Sequence, residues 1–332
     1  MKKKLWTISS VLLIVLSVFL SACGADKTSS SSKKEDIVVH IGIQGKTGVL
    51  PYAREHGYFE KAFEKEGVKV EWSEFASGPP HFEALSAGRL DFGSVGGSPI
   101  IAGQAAGIDF KAIGVTSDGT ATNAIVIPKD SSVKEIADLK GKKVGVAKGS
   151  SGYNFLFLAL DTAGLTDKDI ELIQLQPDEA RPALDNGSID AWAIWDPYVT
   201  TAVYQTGAKV LVSGEDLGIM MPSFLIARTK FTEEHADLTE LFLKTYEEVR
   251  QYYVEHIDEI SEEVAKSQKV DVEIIKTVLE KTDTRLSPTT PEYQKAHQDQ
   301  ADFLYSVGGI DKKLDTSKVI ANEFVEKALK AE

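Results

Sequence analysis

The chain says one thing twice. Leu85-Ser-Ala-Gly88-Arg-Leu90-Asp91 returns as Leu184-Asp-Asn-Gly187-Ser-Ile189-Asp190, a shared Leu-x-x-Gly-x-(Leu/Ile)-Asp. In each copy the leucine belongs to a helix end, the glycine closes it, and the residues after the aspartate read as a short strand. That strand runs into Gly96-Gly97-Ser98-Pro99 in the first copy and into Trp195-Asp196-Pro197 in the second, turns that open a new helix. A duplicated unit of this kind predicts two related lobes, each presenting a strand end and a helix start to a ligand between them.

The flanking pattern supports two cycles. Ile37–Ile43 and Val68–Trp72 read as strands separated by a helix from Val49 to Glu66. Ser77 with Pro79 and Pro80 suits the start of the next helix, as N-cap and first-turn prolines. A helix at Pro99–Ala106 and a strand at Phe110–Val115 follow, so residues 37–115 alternate strand and helix. Such alternation predicts an α/β fold with a mainly parallel sheet covered on both faces. After a strand at Asn123–Pro128, residues 144–212 repeat the alternation, and Ser223–Ala227 is the last strand. Beyond it the apolar residues Leu238, Leu241, Phe242, Val249, Tyr253, Ile257, Ile260 and Val264 recur at helical spacing, with more helices near 271–281, 291–306 and 316–330. This stripe reads as core, and no chemistry is assigned to it.

The N-terminus is of another kind. Lys2, Lys3 and Lys4 precede a mostly apolar run from Leu5 to Leu20, shorter than the roughly 20 residues a membrane-spanning helix needs. Residues 1–22 are therefore expected to be a signal peptide. Leu20-Ser21-Ala22-Cys23 resembles the lipobox of bacterial lipoproteins, which implies that Cys23 is lipidated and anchors the chain to the outer face of the cell membrane. Two acyl chains suffice for a stable anchor. Residues 23–36, with Ser29 to Ser32, read as a flexible tether. Cys23 is the single cysteine, which removes disulfides and cysteine-based metal sites. The formal charge of −13 becomes more negative once the signal lysines are gone, and argues against a nucleic-acid partner.

Ligands of open parallel sheets bind beyond the carboxyl ends of the strands, where helix N-termini point. The turns expected there are Gly96-Gly97-Ser98, Ser117-Asp-Gly-Thr120-Ala-Thr122 and Gly149-Ser150-Ser151-Gly152-Tyr153. Glycine admits close approach of backbone N–H groups, hydroxyls add donors, and the helix dipole favours negative charge. This is equipment for a small anion. Trp192 and Trp195 should point to opposite faces of their strand, with Trp195 as an apolar cleft wall and Trp192 in the core. Gly45-Lys46-Thr47 is not a phosphate loop, because His40 stands where a Walker motif requires glycine. The six histidines are scattered, no serine sits in a nucleophile elbow, and Asp91 and Asp190 read as scaffold that bonds nearby backbone. No enzyme, cofactor or metal is expected.

Taken together, the lipobox, Leu-Ser-Ala-Gly-x-Leu-Asp-Phe-Gly-x-Val-Gly-Gly-Ser-Pro, Asp138-Leu-Lys-Gly-Lys-Lys-Val-Gly-Val-Ala-Lys-Gly-Ser-Ser151 and Ala191-Trp-Ala-Ile-Trp-Asp-Pro-Tyr198 resemble the aliphatic-sulfonate substrate-binding proteins of bacterial ABC importers. The resemblance implies a type II periplasmic-binding-protein fold that closes over its ligand, with 37–123 and 224–332 forming lobe 1 and 124–223 lobe 2. It implies a monomer that passes an alkanesulfonate to an ABC permease and its ATPase for sulfur acquisition. Taurine, nitrate and a thiamine-precursor pyrimidine are the ligands of related branches, and a pyrimidine-synthesis enzyme shares the fold. By family position the expected pocket residues are Gln44, Ser77, Gly97, Ser98, Thr120, Thr122, Ser150, Ser151, Gly152 and Trp195, with Glu179 as a contact for a ligand amine. A sulfonate is a monoanion with three acceptor oxygens, so its site needs N–H and O–H donors and gains nothing from a carboxylate. A buried arginine, with its desolvation cost, is not required.

Overall fold

The computed structural model describes residues 37–330; the expected signal peptide, Cys23 and the tether lie outside them. The chain begins β1 (Val38–Gln44), α1 (Val49–His56), α2 (Tyr58–Glu64), β2 (Lys69–Phe75), α3 (Gly78–Ser86), β3 (Phe92–Gly96), α4 (Gly97–Ala105), β4 (Phe110–Ser117). It continues β5 (Asn123–Ile127), β6 (Lys143–Val146), α5 (Ser151–Thr162), β7 (Glu171–Gln174), α6 (Pro177–Asp185), β8 (Ala191–Trp195), α7 (Tyr198–Thr206), β9 (Lys209–Ser213), α8 (Gly214–Leu217). The last part is β10 (Ser223–Arg228), α9 (Thr229–Glu234), α10 (Ala236–Glu255), α11 (Ile257–Gln268), α12 (Val272–Lys281), α13 (Pro291–Ser306) and α14 (Asn322–Leu329). The single helix expected from Val49 to Glu66 is two, because Gly57 takes a left-handed φ of 66° and caps α1.

Two five-stranded sheets share one plan, β2-β1-β3-β10-β4 and β7-β6-β8-β5-β9. In each, four strands run one way, three of them as adjacent parallel neighbours, and the strand that follows the repeat motif sits at the centre beside the one antiparallel strand, β10 or β5. The strands alternate their burial between two faces, as a period of two requires. Leu225 and Ala227 enter one apolar cluster while Phe224 and Ile226 enter another; Ile125 and Ile127 are likewise divided from Ala124 and Val126. Helices therefore cover both faces of both sheets. Trp192 is 1% exposed and sits in the second sheet's core, as expected.

The repeated aspartates make one bond pattern in two places. Asp91 Oδ2 accepts the backbone N–H of His40 at 3.0 Å, and Asp190 Oδ2 accepts that of Lys143 at 2.8 Å. Their own N–H groups donate back to the carbonyls of His40 and Lys143. Each thus ties the start of the central strand to its parallel neighbour. Asp91 additionally accepts Nε and Nη2 of Arg228, at 3.1 and 2.5 Å.

The chain passes from the first sheet to the second between Ser117 and Asn123, and returns between Ser213 and Ser223. The two crossings touch: Met221 N donates to Asp118 O at 3.0 Å. Gly119 turns there with φ of 69°, and a Cβ on it would lie 1.9 Å from Met221 O. Only glycine can stand at this point.

Candidate functional site

A cavity of about 230 Å³ lies between the two sheets. Ile43 and Gln44 at the end of β1, Ser94 to Gly96 at the end of β3, and Thr116 and Ser117 at the end of β4 form one wall. Thr122, Asn123, Ser150, Ser151 and the Trp195–Tyr198 turn after β8 form the other. The cleft therefore opens off the carboxyl ends of the parallel strands, where α/β sheets place ligands.

Five helices begin on its surface: α1 at Gly48 and Val49, α3 at Gly78, α4 at its cap residue Gly96, α5 at Ser150 and Ser151, and α7 at Pro197 and Tyr198. None carries an acidic residue in its first turn. Of the helices that begin elsewhere, α2, α6, α8 and α10 to α14 each do, with α9 the exception. A first-turn carboxylate compensates the partial positive charge of a helix start. The starts of α1, α3, α4 and α5 keep that charge for the cleft, whereas α7 is capped from just upstream: Asp196 Oδ1 accepts Thr200 N at 2.9 Å and Thr200 Oγ1 at 2.6 Å.

Of the residues expected from sequence, Gln44, Thr122, Ser150, Ser151 and Trp195 line the cavity; Ser77, Gly97, Ser98, Thr120 and Gly152 are not among its lining residues. Gln44 Nε2 donates to Ser94 O at 3.0 Å, which fixes the amide across β1 and β3. Thr122 Oγ1 donates to Gly119 O at 3.2 Å, so its proton serves the crossing. Ser150 Oγ caps α5 by accepting Tyr153 N at 3.2 Å and keeps its hydroxyl proton for another acceptor. Ser77 and Ser98 are 0% and 2% exposed, and neither hydroxyl has a partner among the described residues. Gly97 abuts Pro222 O and His297, and Gly152 abuts Ala193 O, so both are packing positions at helix starts. Thr120 N donates to Asp118 Oδ1 at 2.9 Å in the crossing. Trp195 stands edge-to-face with Tyr198, ring centres 5.9 Å apart. Glu179 accepts Gln176 N at 2.9 Å, closing the capping box of α6, and is not on the cleft wall.

The C-terminal helices supply a wall to which the sequence assigned no chemistry. Tyr246, Tyr253, Val278, Leu279, Thr282 and Thr284 line the cavity. Tyr253 Oη accepts Gly48 N at 3.1 Å, tying the start of α1 to α10. Burial pushes the hydroxyls of Tyr246 and Tyr253 well above the usual phenol range, so both stay protonated and can donate. Helical spacing could not single out Tyr246, Tyr253, Val278 and Leu279, since facing the cleft they are as buried as core residues.

Chemically the cleft offers neutral donors and aromatic rings. Among the described lining residues there is no lysine, arginine or histidine, and Asp196 is the one carboxylate. No cluster of three or more histidine, cysteine, aspartate or glutamate residues suited to a metal occurs among the described residues.

Comparison with known proteins agrees with this geometry. The profile of the family described as NMT1/THI5 like matches residues 46–260. A Bacillus subtilis (strain 168) protein named for binding aliphatic sulfonates is 46% identical over 96% of this chain and 96% of its own length. Its namesake in Escherichia coli (strain K12) is 35% identical, covering 83% of this chain and 86% of its own. The alkanesulfonate-binding protein SsuA of Xanthomonas axonopodis pv. citri, solved bound to MOPS, superposes with a TM-score of 0.81 at 28% identity, covering 87% of this chain and 99% of that one. The chain belongs to the NMT1/THI5-like family, and within it to the group of aliphatic-sulfonate-binding proteins of the periplasmic-binding-protein fold.

Proposed function

We propose that this protein captures aliphatic sulfonates outside the cytoplasm and delivers them to an ABC importer for sulfur acquisition. The observation that carries the reading is the set of helix starts α1, α3, α4 and α5, aimed at one small cavity with no acidic residue in their first turns. A sulfonate head would accept from these N–H groups and from the hydroxyls of Ser150 and Ser151, while Trp195, Tyr198, Val278 and Leu279 would cover its alkyl chain. Gln44 and Thr122 would line the same site, and Ser77, Gly97, Ser98, Thr120 and Gly152 would shape the turns and helix starts around it. The relatives are named as binding proteins, and the reading is accordingly non-enzymatic.

Titration calorimetry against ethanesulfonate, taurine, nitrate, sulfate and a hydroxymethylpyrimidine tests the ligand class. Heat with the sulfonates is expected; heat with the pyrimidine alone would overturn the claim. In the same proposal residues 1–22 are removed and Cys23 carries the lipid that holds a monomer to the cell membrane. Cys23→Ala should then release the protein into the medium, and mass spectrometry of the anchored form should find a diacylglyceryl group on residue 23.

A further inference from the structure

Asp196 needs an explanation in a cleft suited to an anion. Its side chain is only 2% exposed, yet it lies on the cavity wall and is the one carboxylate among the described lining residues. A carboxylate in so dry a place would repel an enclosed monoanion strongly, because little solvent screens it. Its oxygens are both engaged. Oδ1 caps α7 through Thr200, and Oδ2 accepts Lys281 Nζ at 2.8 Å.

Lys281 comes from the far side of the cleft. It ends α12, whose Ile275 and Leu279 are built into the core of the first sheet, while Asp196 follows β8 of the second. A second contact joins the two sides, where Tyr204 Oη of α7 and Thr277 Oγ1 of α12 lie 3.1 Å apart. The lysine thus cancels a charge belonging to the opposite wall.

We propose that Lys281 is a specificity-determining residue of this cleft, acting through Asp196. By neutralising the carboxylate it leaves the ligand's single negative charge to the helix starts. By occupying Oδ2 it denies that oxygen to a cationic ligand end. The apolar residues beside the pair, Trp195 and Tyr198 on one wall and Val278 and Leu279 on the other, offer an ammonium group no compensating carboxylate. The cleft so built selects sulfonates with uncharged tails over amino-sulfonates of the same length. The inference rests on the sulfonate reading and adds the residue pair that sets the preference.

The test is calorimetric titration of the protein and three variants with 1-propanesulfonate and 3-aminopropanesulfonate. The unaltered protein should bind propanesulfonate at least about tenfold more tightly than its amino analogue. Lys281→Met should weaken propanesulfonate about tenfold or more and narrow or invert that ratio. Asp196→Asn with Lys281→Met should return propanesulfonate to within about threefold of the starting affinity, because no charge is left to cancel. If Lys281→Met does not fold, Asp196→Asn alone decides: it keeps the cation and should bind propanesulfonate more tightly. A ratio unchanged by Lys281→Met, a double variant as weak as the single one, or weaker binding by Asp196→Asn would overturn the proposal and leave Lys281 a mere tether between the walls. Equal binding of the two ligands by the unaltered protein would overturn it as well. Failure of the unaltered protein to bind either sulfonate would instead overturn the proposed function.

Discussion

Gly119 and Met221 meet where the two crossings between the sheets run side by side, so closely that a Cβ on the glycine would lie 1.9 Å from the methionine carbonyl oxygen. The backbone there is left-handed, and its neighbour is main chain that cannot rotate away. Gly119→Ala should destabilise the protein by roughly 2–4 kcal/mol, through strain and forced displacement together. Urea denaturation measures it; a loss under 1 kcal/mol would show that the crossing yields easily. The same position is where a hinge between the lobes would act, so the variant should also lose ligand-induced compaction in solution scattering.

Ser98, the second residue of α4, carries a hydroxyl that is buried and without a partner among the described residues, between Gly96 and Pro99 of the cleft lining. Ser98→Ala should stabilise the ligand-free protein by about 1 kcal/mol, since an unsatisfied buried polar group is removed. If that hydroxyl bonds the sulfonate, affinity falls by about 1–3 kcal/mol in the same variant. Melting without ligand and titration with it separate the two effects; unchanged affinity would remove Ser98 from the binding site.

Ser151 opens α5 on the cleft wall. Ser151→Asp supplies the first-turn carboxylate that this helix lacks. It should stabilise the ligand-free protein by roughly 0.3–1 kcal/mol and weaken an anionic ligand by more than that, because helix and ligand then compete for one positive pole. Opposite signs in the two measurements are the expected result. A gain in affinity would argue that the ligand's charged end lies elsewhere.

Two buried histidines set an acid limit. Burial holds His81 and His297 down at about 4 against an ordinary 6.5. Each is neutral inside, and below pH 6.5 the unfolded chain takes up the proton first. Their contribution is complete above about pH 6.5 and is lost as the pH falls toward 4, at about 1.4 kcal/mol per unit for each histidine. Denaturation midpoints between pH 7 and 4.5 should show that slope. His297→Gln should roughly halve it; an identical slope in that variant would exclude this histidine as its source.

The repeat motif by itself determined the architecture. Asp91 and Asp190 recur because each must catch the N–H of a neighbouring strand, a local bond written in local residues. The alternation of strand faces and the glycine-rich helix starts were legible for the same reason, since each depends on residues close in the chain. What only the tertiary structure decided lies across distance. Tyr246, Tyr253, Val278 and Leu279 carry the same buried, helical spacing whether they face a core or a closed cleft, so periodicity could not tell them apart. The turn hydroxyls divided in a way no turn announces: Thr122 spends its proton on Gly119, while Ser150 keeps its own. Lys281 and Asp196 belong to elements packed on different sheets, and their 2.8 Å contact exists only because the chain returns to its first sheet after building the second. Local sequence can specify a positive helix start; the partner that silences a carboxylate beside it is chosen by the fold.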